Sequence, residues 1–171
     1  MARAIWKGEI AFGLVSVPVS LHGAEQRTDI SFRLLDTRDK ARIRYLRVNE
    51  VTGEEVPWDK VAKGYEYADD TYALVDDAEL KQAAPEATRT VQIEDFVDEG
   101  AIDPIYYDKP YYLVPEKRGA RGYALLRETM RRAKAVGIAR VVIRSRESLA
   151  ALRVRDDMLV LDLLRFHQEL K

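Results

Sequence analysis

The chain has 171 residues, 47% of them hydrophobic and 33% charged, and its formal net charge is −1. That balance describes one folded domain long enough to bury a core, and it excludes a disordered polymer. With no cysteine the chain has neither a disulfide nor a thiolate metal site, and no apolar run reaches the about 18 residues of a membrane span. No basic-then-apolar leader precedes the first strand, so the expectation is a cytoplasmic protein without a membrane partner.

In chain order, "RAIWKGEIAFGLVSVPVSLHG" alternates twice. Trp6, Ile10 and Phe12 stand opposite Lys7 and Glu9, and Val15, Val17, Val19 and Leu21 stand opposite Ser16, Pro18 and Ser20. Two half-buried strands broken at Gly13 are predicted. Pro18 cannot donate to a ladder, which predicts an edge or a bulge for the second strand. Further strands are expected at 30–35, 42–48, 65–67, 72–75, 88–97 and 105–113, punctuated by Gly, Asp and Pro. A short helix is expected from Asp76 to Gln82, with acids in its first turn. Tyr123, Leu126, Met130 and Ala133 recur at helical spacing and predict one long helix near residues 120–136, stopped by Gly137. "IARVVIRSR", "LAALRVR" and "MLVLDLLRF" read as three last strands, the final two joined across Asp156 and Asp157. Many short strands with one principal helix make a mainly β chain, a barrel or sandwich with helical decoration.

The near-zero net charge hides segregation. Residues 50–108 carry 4 basic and 17 acidic side chains, whereas residues 116–155 carry 12 basic and 3 acidic. The stretch "RDKARIRYLR" at 38–47 places Lys40, Arg42 and Arg44 at every second position. Arg140, Arg144 and Arg146 share one parity against Ala139, Val141 and Ile143, and Arg153 and Arg155 stand against Leu152 and Val154. Side chains two apart on a strand are roughly 6.5–7 Å apart, close to two phosphate steps of about 3.4 Å along one DNA strand. Such combs can follow a sugar-phosphate backbone without reading bases. Lys117, Arg118 and Arg121, interleaved with Gly119 and Gly122 before the long helix, suit a phosphate site.

Other motifs read more plainly. Tyr106, Tyr107, Tyr111 and Tyr112 either stack unpaired bases or pack as strand core, and their neighbours lack the dense basic groove that stacking needs. The pairs Asp69–Asp70, Asp76–Asp77 and Asp156–Asp157 sit where turns and helix caps favour Asp. His22 and His167 have no companion motif. No serine lies in G-x-S-x-G context, and no phosphate-binding glycine loop is present. The residues read as a binder and not an enzyme.

Four segments in register carry a resemblance. "RAIWKGEIAFGLVSVPVSL", "TGEEVPWDKVAKGYEY", "IDPIYYDKPYYLVPEK" followed by "YALLRETM", and "IRSRESLAALRVRDDMLVL" resemble the prokaryotic Ku proteins from residue 3 to about residue 166. The resemblance implies a Ku core β-barrel across residues 1–171 with an extended hairpin bridge at about 44–75. It implies a homodimeric ring that threads onto double-stranded DNA ends in non-homologous end joining and recruits an ATP-dependent DNA ligase. It also implies no catalysis, no cofactor, no metal, and a place in the cytoplasm with the nucleoid. Expected DNA contacts are Lys40, Arg42, Arg44, Lys60, Lys63, Lys117, Arg118, Arg121, Arg140, Arg144 and Arg146. Some relatives carry C-x-x-C in the bridge where this chain has Asn49 and Thr52. The helical C-terminal region and basic tail usual in the family are expected to be absent or truncated. Competing readings are an RNA-binding β-barrel module using the tyrosines and a metal-dependent hydrolase using the acidic pairs.

Overall fold

The N-terminal alternation folds as two strands, β1 (Trp6–Phe12) and β2 (Val15–Gly23), in a computed structural model that describes residues 3–25, 30–83 and 88–171. Gly13 turns between them at a positive φ of 55°, which glycine adopts without steric cost. The later elements are β3 (Lys63–Ala68), β4 (Thr71–Val75), α1 (Asp77–Ala83), β5 (Thr90–Asp98), β6 (Tyr107–Pro115), α2 (Ala120–Ala133), β7 (Ala135–Ile143), β8 (Arg146–Arg155) and β9 (Met158–Leu164). The chain divides into two units, Met1–Gln26 with Ala84–Lys171, and Arg27–Ala83.

The first unit is a closed barrel in the order β1-β2-β6-β9-β8-β7-β5. Seven strands cannot alternate in direction all the way round a ring, so one seam must be parallel, and that seam is β1–β5. It spans only Glu9–Thr90, Ile10–Val91 and Ala11–Gln92. Gly8 lets the two strands meet there, because a Cβ at Gly8 would stand 1.7 Å from the Arg89 carbonyl oxygen. Leu21, Val91, Leu113, Leu152, Leu159 and Leu161 fill the interior. The helix α2 joins the end of β6 to the start of β7 and plugs that end of the barrel with Tyr123 and Met130, both buried. The Tyr123 hydroxyl donates to the Leu113 carbonyl at 2.6 Å and accepts from the Leu159 amide at 2.7 Å, tying α2 to β6 and β9. Outside the wall, Val136, Ala151 and Leu164 form a second cluster with Ile102, Tyr106 and Tyr107.

Two expectations are corrected here. The strand holding Pro18 is not an edge: β2 is paired with both β1 and β6. The β2–β6 ladder begins one residue later, at Val19, so the missing proline donor falls just outside it. The long helix ends at Ala133, with Lys134 in the left-handed region at φ 51°, and not at Gly137. Gly137 lies inside β7, facing Phe96, Ile93 and Leu152 at ordinary contact.

The second unit has a different character. The strands expected at 30–35 and 42–48 do not form, and only two isolated bridges appear, Leu35–Arg42 and Val48–Glu55. The hairpin β3–β4 turns at Asp69–Asp70 and is followed by α1. None of the described residues whose burial is known between 30 and 83 is buried. Thin hairpins without a second layer have nothing to pack against.

Candidate functional site

The cations expected to bind a polyanion fall in both units. In the second, Lys40, Arg42 and Arg44 do not form a comb. Lys40 takes φ 61°, and its amide closes a turn onto the Asp36 carbonyl at 2.8 Å. Arg42 lies at a single bridge, and Arg44 is in irregular chain. Strict alternation needs a continuous ladder, which this segment lacks. All three side chains are exposed and make no ion pair among the described residues. Asp36 is engaged elsewhere: Arg38 grips it at 2.6 Å and holds its carboxyl below the usual range.

Lys60 ends a 3-10 turn, Trp58–Lys60, and is exposed. Lys63 opens β3 and is paired with Asp77 at 2.8 Å. Sequence reasoning passed over Arg47, whose guanidinium lies 3.9 Å from the centre of the Trp58 ring. Only folding brings the two together, because nothing in the spacing marks the pair. Asn49 closes the turn of its hairpin by accepting from the amides of Val51 at 2.8 Å and Thr52 at 3.1 Å. A carboxamide thus organises this turn.

In the barrel unit the cations gather at opposite ends. Lys117 and Arg118 lie on a 3-10 turn leading into α2, and Arg121 is in its first turn. They sit at the end that α2 plugs. Gly119 packs tightly there, since a Cβ would come 2.5 Å from the Pro18 carbonyl oxygen. Arg144 and Arg146 belong to the other end, about one strand length away, roughly 25 Å at 3.3 Å per residue. Arg144 and Ser145 form the β7–β8 turn at φ 51° and 65°, and Arg146 begins β8, so Arg140, Arg144 and Arg146 do not share a strand.

Arg140 pairs with Glu94 at 2.8 Å and lies 4.0 Å from Glu147; Arg146 pairs with Glu169 at 3.2 Å. Arg144 and Arg146 border a pocket of about 460 Å³ with Asp108, Tyr111, Arg165 and Glu169. Burial pushes the Tyr111 phenol up, and the Arg144 charge opposes that shift. Arg153 does not face solvent in a comb with Arg155. It donates to Asp162, which is buried, and lies 5.4 Å from the Tyr107 ring.

The remaining motifs take structural roles. Asp76 accepts from the Ala78 amide at 3.0 Å at the start of α1, and Asp70 takes φ 52° in the β3–β4 turn. At the β8–β9 turn, Arg127 donates to the Asp157 carbonyl at 2.7 Å and Arg131 to the Asp156 carbonyl. Among the described residues no three His, Asp or Glu side chains come together as a metal site. Tyr111 is in the core, Tyr106 and Tyr107 pack on the outer cluster, and Tyr112 is half-buried on β6. His167 lies 3.4 Å from the Tyr106 hydroxyl. No helix among the described residues is long and apolar enough to cross a membrane.

Comparison with known proteins gives a consistent result. Residues 11–171 match the family model described as the Ku70/Ku80 β-barrel domain. The chain is 54% identical to the non-homologous end joining protein Ku of Coxiella burnetii, over 99% of this chain and 62% of that one. It is 50% identical to the protein of the same name from Cupriavidus necator, over 99% of this chain and 50% of that one. For Opitutus terrae the figures are 45%, 98% and 60%. The chain therefore spans between half and about three fifths of the length of these curated relatives.

Proposed function

The chain belongs to the Ku β-barrel family, and from that premise we propose that it binds the ends of double-stranded DNA as a homodimeric ring, without reading sequence. It serves double-strand break repair by non-homologous end joining, in the cytoplasm with the nucleoid. It performs no chemistry itself and recruits an ATP-dependent DNA ligase. The observation that carries this reading is the coreless second unit. Phe32 is 85% exposed, Tyr45 82%, Leu74 78% and Trp58 72%. Apolar surface on that scale in a unit without a core calls for a partner surface, and a second copy supplies one.

Charge supports the choice of DNA. Residues 33–47 carry six basic and two acidic side chains, whereas residues 50–79 carry two basic and ten acidic. The second unit is thus polarised along its sequence, and the phosphate-facing part is the first segment, with Lys40, Arg42 and Arg44 and the neighbouring Arg33 and Arg47. Lys63 contributes less, because Asp77 already neutralises it. In the barrel, Lys117, Arg118 and Arg121 at one end and Arg140, Arg144 and Arg146 at the other cannot contact the same few phosphates. One group faces the duplex and the other lies away from it.

A closed ring has to be threaded, so affinity should depend on a free end. The test compares a linear duplex with a covalently closed circle of the same sequence and length, by competition in an electrophoretic or anisotropy assay. The linear form should compete far better, and blocking both ends with bulky adducts should abolish the advantage. Equal competition by the circle would overturn the ring. Sedimentation of the free chain, reporting monomer at all concentrations and in the presence of duplex, would overturn the homodimer.

A further inference from the structure

Beside α2 at the plugged end of the barrel runs an apolar groove of about 370 Å³. Phe12 and Val15 from the β1–β2 hairpin and Phe96 from β5 form one wall, with Phe12 and Phe96 in edge-to-face contact at 5.0 Å between ring centres. Leu125, Leu126 and Met130 of α2 form the other. Met130 belongs to the core, but Leu125 is 69% exposed, a large aliphatic side chain held at the lip with nothing over it.

Charge along that lip is one-sided. Arg121, Leu125 and Arg132 follow at spacings of four and seven, which puts them on a single stripe of the helix bordering the groove. Neither Arg121 nor Arg132 makes an ion pair among the described residues. The cations on the far side of α2 are neutralised: Arg127 and Arg131 both pair with Glu128, at 3.0 and 2.8 Å, and Arg131 also reaches Asp157 at 3.6 Å. Of the α2 arginines, those left free are the two that flank the exposed leucine.

We infer that this groove docks an amphipathic helix of a partner protein, with an apolar stripe seated on Leu125 and Phe12 and acidic residues along the flank that meets Arg121 and Arg132. Helix-in-groove recognition uses an apolar stripe flanked by charge, which is the pattern this groove presents. Arg121 and Arg132 are eleven residues apart, about 16 Å along the axis, a match for three turns of the incoming helix. On the strand wall, Asp98 is in register with Ala135 of the groove and would meet a basic residue on the opposite flank of the same helix. The inference does not depend on DNA binding.

The probe is a fluorescein-labelled 15-residue helical peptide with leucines at i, i+4, i+7 and i+11 flanked by glutamates, titrated against the full chain by anisotropy. A lysine-flanked peptide with the same leucines is the control. The glutamate peptide should bind, Leu125→Asp should weaken it at least tenfold, and Arg121→Glu with Arg132→Glu should exchange the preference in favour of the lysine peptide. Circular dichroism checks that each variant is folded, and the charge exchange stands as an independent arm if Leu125→Asp is not. Equal binding of both peptides, or wild-type binding by Leu125→Asp, would overturn the inference. So would a drop in sedimenting mass for Leu125→Asp without peptide, which would assign the groove to a second copy of the chain. DNA-end binding measured on Leu125→Asp should be unchanged, so failure of either reading is visible separately.

Discussion

Tyr123 shows how one residue can be legible in sequence and still have an unsuspected role. Its helical spacing marked it as inward-facing, but the spacing is silent about a hydroxyl that bridges Leu113 and Leu159. Tyr123→Phe keeps the ring and strands a buried carbonyl and a buried amide. An unsatisfied buried group costs about 1–3 kcal/mol, so the expected loss is roughly 2–4 kcal/mol in urea unfolding. Burial raises the Tyr123 phenol pKa above its ordinary value of about 10. The folded state therefore holds that proton more tightly than the unfolded state. Its contribution is complete below pH about 10 and is lost as pH rises through the higher native value. Tyr107 and Tyr111 are raised too, so the informative quantity is wild type minus Tyr123→Phe across that window. A difference that does not change with pH would show that the phenol does not titrate as a buried group. At the same scale the guanidinium combs failed. Alternation in sequence becomes alternation in space only inside a continuous ladder, and Lys40, Arg144 and Ser145 adopt left-handed backbone that breaks the phase.

At the scale of elements, the periodic strands and the amphipathic helix were readable because each buries one face. Among the described residues seven of the eight strand pairings are antiparallel, and the parallel β1–β5 seam had no local signal. It is a consequence of ring closure with an odd strand number. Gly8 is the residue on which that seam depends. Gly8→Ala should cost at least about 3 kcal/mol, at the severe end of overpacking, because the obstacle is the Arg89 backbone and not a flexible side chain. Gly100→Ala, with nothing within 4 Å of the new methyl, should change stability by no more than about 0.5 kcal/mol. Comparable thermal midpoints for the two variants would mean that β1 and β5 do not approach as described.

The barrel unit has a filled interior, whereas in the second unit no described residue of known burial is buried. Charge segregation was visible in the sequence, and it gives a quantitative expectation for DNA binding. Each phosphate contact contributes about 0.9 to the slope of log affinity against log salt. Arg42→Ala with Arg44→Ala removes two contacts per chain, so the slope should become shallower by about 3.6 in a homodimer and about 1.8 in a monomer. Lys63→Ala should leave it nearly unchanged because Asp77 already balances that charge. Affinities measured at four or five potassium chloride concentrations would decide. An unaltered slope in the double variant would remove the second unit from the DNA interface.

The sequence by itself determined which segments are strands of the barrel and where the principal helix lies, because period-two and helical patterning record burial directly, and its four motif segments carried the resemblance to the family. Its charge blocks also marked the segments proposed to meet a polyanion. Only the tertiary structure decided which cations remain free. Pairs such as Arg140–Glu94 and Arg146–Glu169 form between elements far apart in sequence, and Arg153–Asp162 forms across a hairpin. Distance in the chain does not encode such neutralisation, and the same is true of the groove beside α2, whose walls come from three separate stretches that meet only when the ring closes.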